Sequence, residues 1–169
     1  AGYIGSHTCV ELLNAGYEVA IVDNFVNSNE KSLERIRQIT GKDFKFYEGD
    51  IADATLLDKV LEENKIECCI HFAGLKAVGE SVAKPLEYYK NNISGTLVLL
   101  EEMRKYGVKN MIFSSSATVY GNPERIPIDE ECPKGTCTNP YGWTKSMLEQ
   151  VFVDIQKADP EWNIILLRY

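Results

Sequence analysis

Tyr141 and Lys145 stand four positions apart, a spacing that puts both side chains on one face of a helix. An ammonium beside a phenol stabilises the phenolate and lowers the tyrosine pKa toward neutrality, which makes a usable general base. Nine tyrosines and 13 lysines in 169 residues give about 0.7 such pairs by composition alone, so position must carry the argument. The pair follows Pro140 at a helix start, after a long loop that leaves the carboxyl end of a strand, where open α/β sheets bind ligands. On that same edge Ser114-Ser115-Ser116 could bond a substrate oxygen or relay its proton, the lesser alternative being a solvated strand end. Phe72-Ala73-Gly74 ends another strand there, with small residues where a cofactor backbone must come close.

A second group lies near the start. Gly2-Tyr3-Ile4-Gly5 opens a helix, whose free N–H groups and positive dipole end favour a phosphate, and glycine allows close approach. Alone, two glycines three apart are also consistent with an ordinary turn. Asp23, 18 positions after Gly5 at the end of a strand, adds the carboxylate that a dinucleotide-binding unit needs for the adenosine ribose hydroxyls. It would repel a 2′-phosphate, and Asn24 and Phe25 after it are neutral, so NAD is expected rather than NADP. Asp50, ending the next strand, is a neighbour for adenine or a simple cap for the following turn.

The elements that must position these groups alternate between two apolar periods. A helix over residues 4–15 is closed by Gly16, Glu18 to Asp23 is a strand, and Leu33, Ile36 and Ile39 return to helical spacing before Gly41. Phe44 to Asp50 is the next strand, and Asp53 caps a helix over residues 54–64 with Leu56, Leu57, Val60 and Leu61 on one face. Glu67 to Phe72 is a buried strand. A long helix from Pro85 carries Leu86, Tyr89, Ile93, Leu97, Leu100 and Met103 to Gly107. A strand begins at Asn110, and a polar loop with Pro123, Pro127, Pro133 and Gly135 leads to a final helix with Met147, Leu148, Val151, Phe152 and Ile155 inward. Ile164 to Leu167 reads as a last strand. The order αβαβαβαβαβ predicts a doubly wound parallel sheet covered on both faces. In the dinucleotide fold the strand order is 3-2-1-4-5-6, and the first strand, which feeds the glycine turn, is not among these residues.

Composition narrows the class further. The chain is 44% hydrophobic and 25% charged, an ordinary balance for a globular protein, and its net charge of -7 excludes a general electrostatic footprint for nucleic acid or an anionic membrane. No apolar run approaches the roughly 18 to 20 residues of a membrane span, and the cytoplasm is the expected location. The odd number of cysteines (Cys9, Cys68, Cys69, Cys132, Cys137), mostly inside apolar runs, fits buried reduced thiols better than a disulfide framework. Cys132 and Cys137 could make half a metal site, but His7 and His71 are far from them in sequence, and no metal is expected.

Four stretches together carry a family likeness: Ala1-Gly2-Tyr3-Ile4-Gly5-Ser6-His7-Thr8, His71 through Val82, Ser114-Ser115-Ser116-Ala117-Thr118-Val119-Tyr120-Gly121, and Asn139-Pro140-Tyr141-Gly142-Trp143-Thr144-Lys145. The chain resembles, over its whole length, the UDP-glucose 4-epimerase family of the extended short-chain dehydrogenase/reductases. The resemblance implies a Rossmann-type NAD-binding domain over residues 1–169, with Tyr141 as base, Lys145 holding the nicotinamide ribose and tuning Tyr141, and Ser116 bonding the sugar 4-hydroxyl. It puts cofactor contacts on Gly2, Tyr3, Ile4, Asp23, Asn24, Asn27, Ser28, Asp50, Ile51, Phe72, Ala73, Gly74, Lys76, Asn91, Tyr141, Lys145 and Tyr169, and substrate contacts on Lys76, Ser116 and Tyr141. Lys76 would also offset pyrophosphate charge. The implied chemistry interconverts UDP-glucose and UDP-galactose in galactose metabolism: Tyr141 removes a proton while the C4 hydride moves to NAD, the 4-keto sugar turns over, and the hydride returns to its other face.

In that family a Val-Thr-Gly-Gly strand and turn should precede Ala1, and a domain gripping the uridine nucleotide should follow Tyr169. The domain is therefore expected to be incomplete at both ends, and the 169-residue chain alone to be inactive. Trp143 and Thr144 are expected to point off the Tyr/Lys face. A homodimer is implied, with the long helix from Pro85 as a candidate interface. The rivals are a sugar-nucleotide 4,6-dehydratase of the same fold and a non-catalytic NAD-binding fragment. The dehydratase pattern would place an Asp-Glu pair directly after a Thr on the fifth-strand edge; here Ala117 and Thr118 follow Ser116, with no carboxylate before Glu124.

Overall fold

The computed structural model describes residues 1–169, organised as two compact units, Ala1–Lys65 and Ile66–Tyr169. In the first unit the order is α1 (Tyr3–Asn14), β1 (Ala20–Asp23), α2 (Lys31–Thr40), β2 (Lys45–Glu48) and α3 (Ala54–Glu63). Strands β1 and β2 pair in parallel, Ala20 opposite Lys45 through Asp23 opposite Glu48. Leu13, Ile21, Leu33, Ile36 and Phe44 form the core of this unit. As the sequence predicts, Gly16 sits in the left-handed region just past α1 and Gly41 closes α2 the same way at φ 64°. Asp53 caps α3, its Oδ1 accepting from the backbone of Thr55 (3.0 Å) and Leu56 (3.2 Å). Ile39 departs from expectation: the inward face of α2 ends with Ile36, and Ile39 is exposed.

The second unit runs β3 (Cys69–His71), α4 (Val78–Ala83), α5 (Pro85–Tyr89), a π-helical turn (Lys90–Ser94), α6 (Gly95–Lys105), β4 (Asn110–Ser114), a 3-10 turn (Ala117–Tyr120), α7 (Pro140–Ala158) and β5 (Asn163–Leu167). Its sheet has the order β3-β4-β5, all parallel, with β4 central. Phe113 on β4 is fully buried, edge-on to Phe152 of α7 at 4.8 Å. The pairings within the two sheets are those that the order 3-2-1-4-5-6 gives its second to sixth strands.

The predicted long helix is a continuous helical path from Pro85 to Lys105, but the π turn alters its inward stripe. Tyr88, Asn92, Thr96, Leu99, Leu100 and Met103 are buried, while Leu86 and Leu97 of the expected stripe are exposed. The polar pair goes inward because each has partners there: Thr96 donates to the Asn92 carbonyl (2.7 Å) and meets His71 Nε2 (2.8 Å), and Asn92 bonds Leu75 and Thr144. Met147 likewise points outward on α7, and Cys68 is exposed, whereas Cys132 and Cys137 are buried. All five cysteines are free.

The segment between the 3-10 turn and α7 lies against its own start. Gly121 has φ 60°, and a Cβ there would stand 2.2 Å from the Thr136 carbonyl oxygen; at Gly135 it would stand 2.3 Å from that of Tyr120. Two backbones approach where no side chain fits. Gly121→Ala is expected to destabilise the full-length protein by about 2 kcal/mol or more. Gly79→Ala, in α4 with open space around it, is expected to be neutral or stabilising by up to about 1 kcal/mol. Chemical denaturation of the two variants measures both.

Candidate active site

At the first unit's glycine start, Gly2 is the extended N-cap residue of α1, and no side chain caps the helix. Its first N–H groups are therefore available to an anion, as the Gly2, Tyr3 and Ile4 expectation requires. At the end of β1 the Asp23 carboxylate accepts from the Phe25 backbone (2.8 Å) and Ser28 Oγ (2.6 Å). Burial works to raise its pKa, and the hydrogen bonds from Ser28 and Phe25 work to lower it. An acid so held is ionised at neutral pH. Asn24 Nδ2 donates to Asp50 Oδ2 (2.9 Å), while Asp50 Oδ1 accepts from Ala52 N (2.8 Å), so Asp50 both caps its turn and joins the Asp23–Asn24 edge. Asp23, Asn24, Ser28 and Asp50 are thus linked at one strand edge, and Ile51 follows directly.

In the second unit, Lys145 is buried and its Nζ donates to the Ser114 carbonyl at 2.6 Å, lying 4.5 Å above the Phe113 ring. Burial lowers its pKa to about 8. His71 beneath it falls to about 3, through burial and then the Lys145 charge. Because Thr96 gives its hydroxyl proton to the Asn92 carbonyl, His71 must donate from Nε2, and with burial keeping the ring neutral this assigns the Nε2–H tautomer.

The three serines separate. Ser114 gives its carbonyl to Lys145 and its hydroxyl pairs with Tyr169 Oη at 2.6 Å. Ser115 is buried and donates to Glu149 Oε1 at 2.5 Å. Ser116 Oγ accepts from Thr118 N (3.2 Å) and Thr118 Oγ1 (3.0 Å), so its own proton is left to donate. It lies beside Tyr141, whose pKa its hydrogen bond lowers.

One expectation is corrected. Tyr141 is not brought toward neutrality: burial raises its pKa above 10, with a further push from Tyr169, and the Ser116 contact only partly offsets this. Lys145 Nζ is held on the Ser114 carbonyl, 5.9 Å from the Tyr141 ring centroid, and burial of the phenol sets the direction of the shift.

Thr144 does not simply point aside. It is fully buried, donates to the Tyr141 carbonyl (2.7 Å) and accepts from Asn92 Nδ2 (3.1 Å). Asn92 also grips both backbone groups of Leu75, at 2.8 and 2.9 Å, and a Cβ on Gly74 would come within 3.2 Å of its Oδ1. The Phe72–Leu75 turn is thereby tied to the start of α7, and Asn91 donates to Asn92 Oδ1 (3.0 Å). Lys76 is exposed and makes no hydrogen bond or ion pair. Asn92, Thr144, Asn139 (which caps α7 by accepting from Gly142 N at 2.8 Å), Glu149 and Arg168 escaped the sequence reading. Glu149 carried a signal, since Tyr141, Lys145 and Glu149 recur every four residues along α7 and so share one face.

Parallel strands with helical crossovers, an uncapped glycine helix start and an acid closing the next strand define a Rossmann-type nucleotide-binding class. The chain belongs to the family described as GDP-mannose 4,6 dehydratase, whose family model matches residues 1–168. It is 63% identical to the UDP-glucose 4-epimerase of Haemophilus influenzae and 62% identical to that of Bacillus subtilis, in each case over 100% of this chain and 50% of the relative. The crystal structure of UDP-glucose 4-epimerase from Bifidobacterium longum in complex with NAD+ and UDP superposes with a TM-score of 0.99 at 59% identity, over 100% of this chain and 50% of that one. The chain spans about half the length of the curated relatives it matches.

Burial of the Lys145 charge has a testable pH signature. Below about pH 8 the folded and unfolded chains both hold the proton; between about 8 and the ordinary value of 10.5 the unfolded chain holds more, so stability rises with pH across that window. The slope from this group is about 1.4 kcal/mol per pH unit, and Lys145→Met is expected to flatten it. Denaturation curves across that range, with 15N NMR of the lysine ammonium, measure both.

Proposed function

We propose that the protein containing this chain interconverts UDP-glucose and UDP-galactose by reversible hydride transfer at C4, with NAD kept bound through turnover. The observation that carries the reading is the Ser116 hydroxyl beside Tyr141 with its proton left to donate, in a chain 62 to 64% identical to curated UDP-glucose 4-epimerases.

The residues fit the cofactor. In the first unit, the open N-terminus of α1 at Gly2, Tyr3 and Ile4 suits a pyrophosphate, and Asp23, whose Oδ1 accepts from Phe25 and Ser28, keeps its other oxygen for a ribose hydroxyl. Asn24, Asn27, Ser28, Asp50 and Ile51 would complete the adenosine end. In the second unit, Phe72, Ala73, Gly74, Lys76, Asn91, Tyr169 and Lys145 would hold the nicotinamide end, with Lys76 offsetting phosphate charge. Bound NAD supplies a hydride acceptor at the nicotinamide and a positive charge. Tyr141, as the phenolate, would take the 4-hydroxyl proton as the C4 hydride leaves and return it when the hydride comes back. Ser116 donates to the sugar oxygen and holds it for that transfer, and Lys145, fixed on the Ser114 carbonyl, keeps two N–H donors for a ribose. Because burial raises Tyr141, forming the phenolate draws on the Ser116 hydrogen bond and on the positive charge that bound NAD would supply.

The family description leaves a dehydratase in view. The absence of a carboxylate between Ser116 and Glu124, with Thr118 Oγ1 bonded to Ser116, favours the epimerase, since loss of water across C5 and C6 needs an acid and a base there. Exposed Leu86, Leu97, Met147 and Val153 on α5, α6 and α7 support a homodimer. No helix is long and apolar enough to cross a membrane. The free cysteines fit a cytoplasmic location; galactose metabolism follows from the proposed reaction, and the net charge of -7 supports no nucleic acid or membrane partner.

The test is NMR of the full-length protein with UDP-galactose: UDP-glucose appears without stoichiometric release of reduced cofactor, and no interconversion would refute the reading. Tyr141→Phe is expected to stay folded and NAD-loaded while losing about 10²-fold or more in turnover.

A further inference from the structure

We propose that Glu149 is a positioning residue for Tyr141 and Ser116, its buried carboxylate fastening the Ser114–Ser116 edge to α7 one helical turn beyond Lys145. This rests on the proposed function for its catalytic consequence, but its geometry stands apart from it.

The carboxylate joins four segments. Oε1 accepts from Ser115 Oγ (2.5 Å) and Arg168 Nε (2.9 Å), and Oε2 from Arg168 Nη2 (2.8 Å), with Lys134 Nζ at 3.2 Å. Arg168 goes on to Tyr120 Oη (3.0 Å), and Lys134 to the Ser146 carbonyl (3.2 Å). α7, the end of β4, the residue after β5 and the long loop therefore meet at one side chain that is 2% exposed. Burial would raise its pKa, and Arg168 first, then Ser115 and Lys134, hold it below the usual range.

Ser115 stands between the two serines that serve the site. Lys145 ties the Ser114 carbonyl to α7, while the Leu167 pairing and Tyr169 hold Ser114 from the β5 side, so Lys145 is one point of attachment between this edge and the helix. Glu149 supplies the second point on the next turn of the same helix, and two points fix a direction. That direction places Ser116 against Tyr141. The charged and titratable groups facing Tyr141 are Lys145 on its own helix, Ser116 on the β4 edge, Tyr169 after β5 and Tyr88 on α5. Glu149 is not among them, so a change at Glu149 reaches the phenol through the placement of Ser116.

The experiment uses the full-length, NAD-loaded protein carrying Ser115→Ala, Glu149→Gln or both. Tyr141 is titrated by difference absorbance against Tyr141→Phe in each background, and kcat and KM are measured separately. We expect Ser115→Ala to raise the Tyr141 pKa and to cut kcat about tenfold with KM within about twofold. Glu149→Gln should do the same or more, and the double variant should be no worse than Glu149→Gln because the two act through one bond. Folded variants with wild-type Tyr141 titration and kcat, losing only thermal stability, would overturn the proposal, as would additive losses in kcat. If Glu149→Gln does not fold, Ser115→Ala decides. The titration reads the positioning even if the wild type proves to have no epimerase activity, so the two failures are separable.

Discussion

A lysine ammonium taken out of water must find an acceptor, and in the second unit Lys145 finds the Ser114 carbonyl at 2.6 Å with the Phe113 ring beneath it. The bond crosses from the middle of the first half of α7 to the last residue of β4, so it registers a helix against a strand end. Tyr141 is one turn earlier on that helix, and Ser116 two residues beyond that strand end. The position of each relative to the other follows from where Lys145 is held. The lowering of Lys145 to about 8 measures how far the protein goes to keep that group inside. Around it the other polar groups are satisfied in pairs: His71 with Thr96, Thr96 with the Asn92 carbonyl, Asn92 with Leu75 and Thr144, and Ser115 with Glu149. Such a network fixes one arrangement because each group's alternative is an unpaired buried dipole.

The first unit solves a different problem with less material. An acidic chain with net charge -7 offers no general attraction to an anionic nucleotide. It presents instead a helix start without a capping side chain and a strand-ending carboxylate that accepts from Phe25 and Ser28. The first favours phosphate by dipole and free N–H groups, and the second favours a ribose over a ribose phosphate.

Much of this was legible in the sequence where the signal was local. Asp53 as a cap, Gly16 and Gly41 as helix ends, Pro140 as the start of α7 and Asp23 as a strand-ending acid all follow from the chemistry of one residue and its immediate neighbours. What failed depended on distant partners. The stripe Leu86, Tyr89, Ile93, Leu97 satisfied helical spacing, yet Asn92 and Thr96 took the inward face because Leu75, Thr144 and His71 wait there. The Tyr141–Lys145 spacing correctly put both on one helix face, but spacing says nothing of burial, which sets the sign of the Tyr141 shift. The Ser114–Ser116 run could not reveal that its middle member faces Glu149, because that depends on how β4 meets α7.

The central claim is that the Tyr141, Ser116 and Lys145 edge serves a hydride that leaves C4 and returns to it. The most direct measurement follows UDP-galactose deuterated at C4 as the full-length protein converts it in ordinary water. The account predicts UDP-glucose with the deuterium still at C4. Protium from water at that carbon, or a dehydrated 4-keto-6-deoxy sugar in place of the epimer, would contradict it.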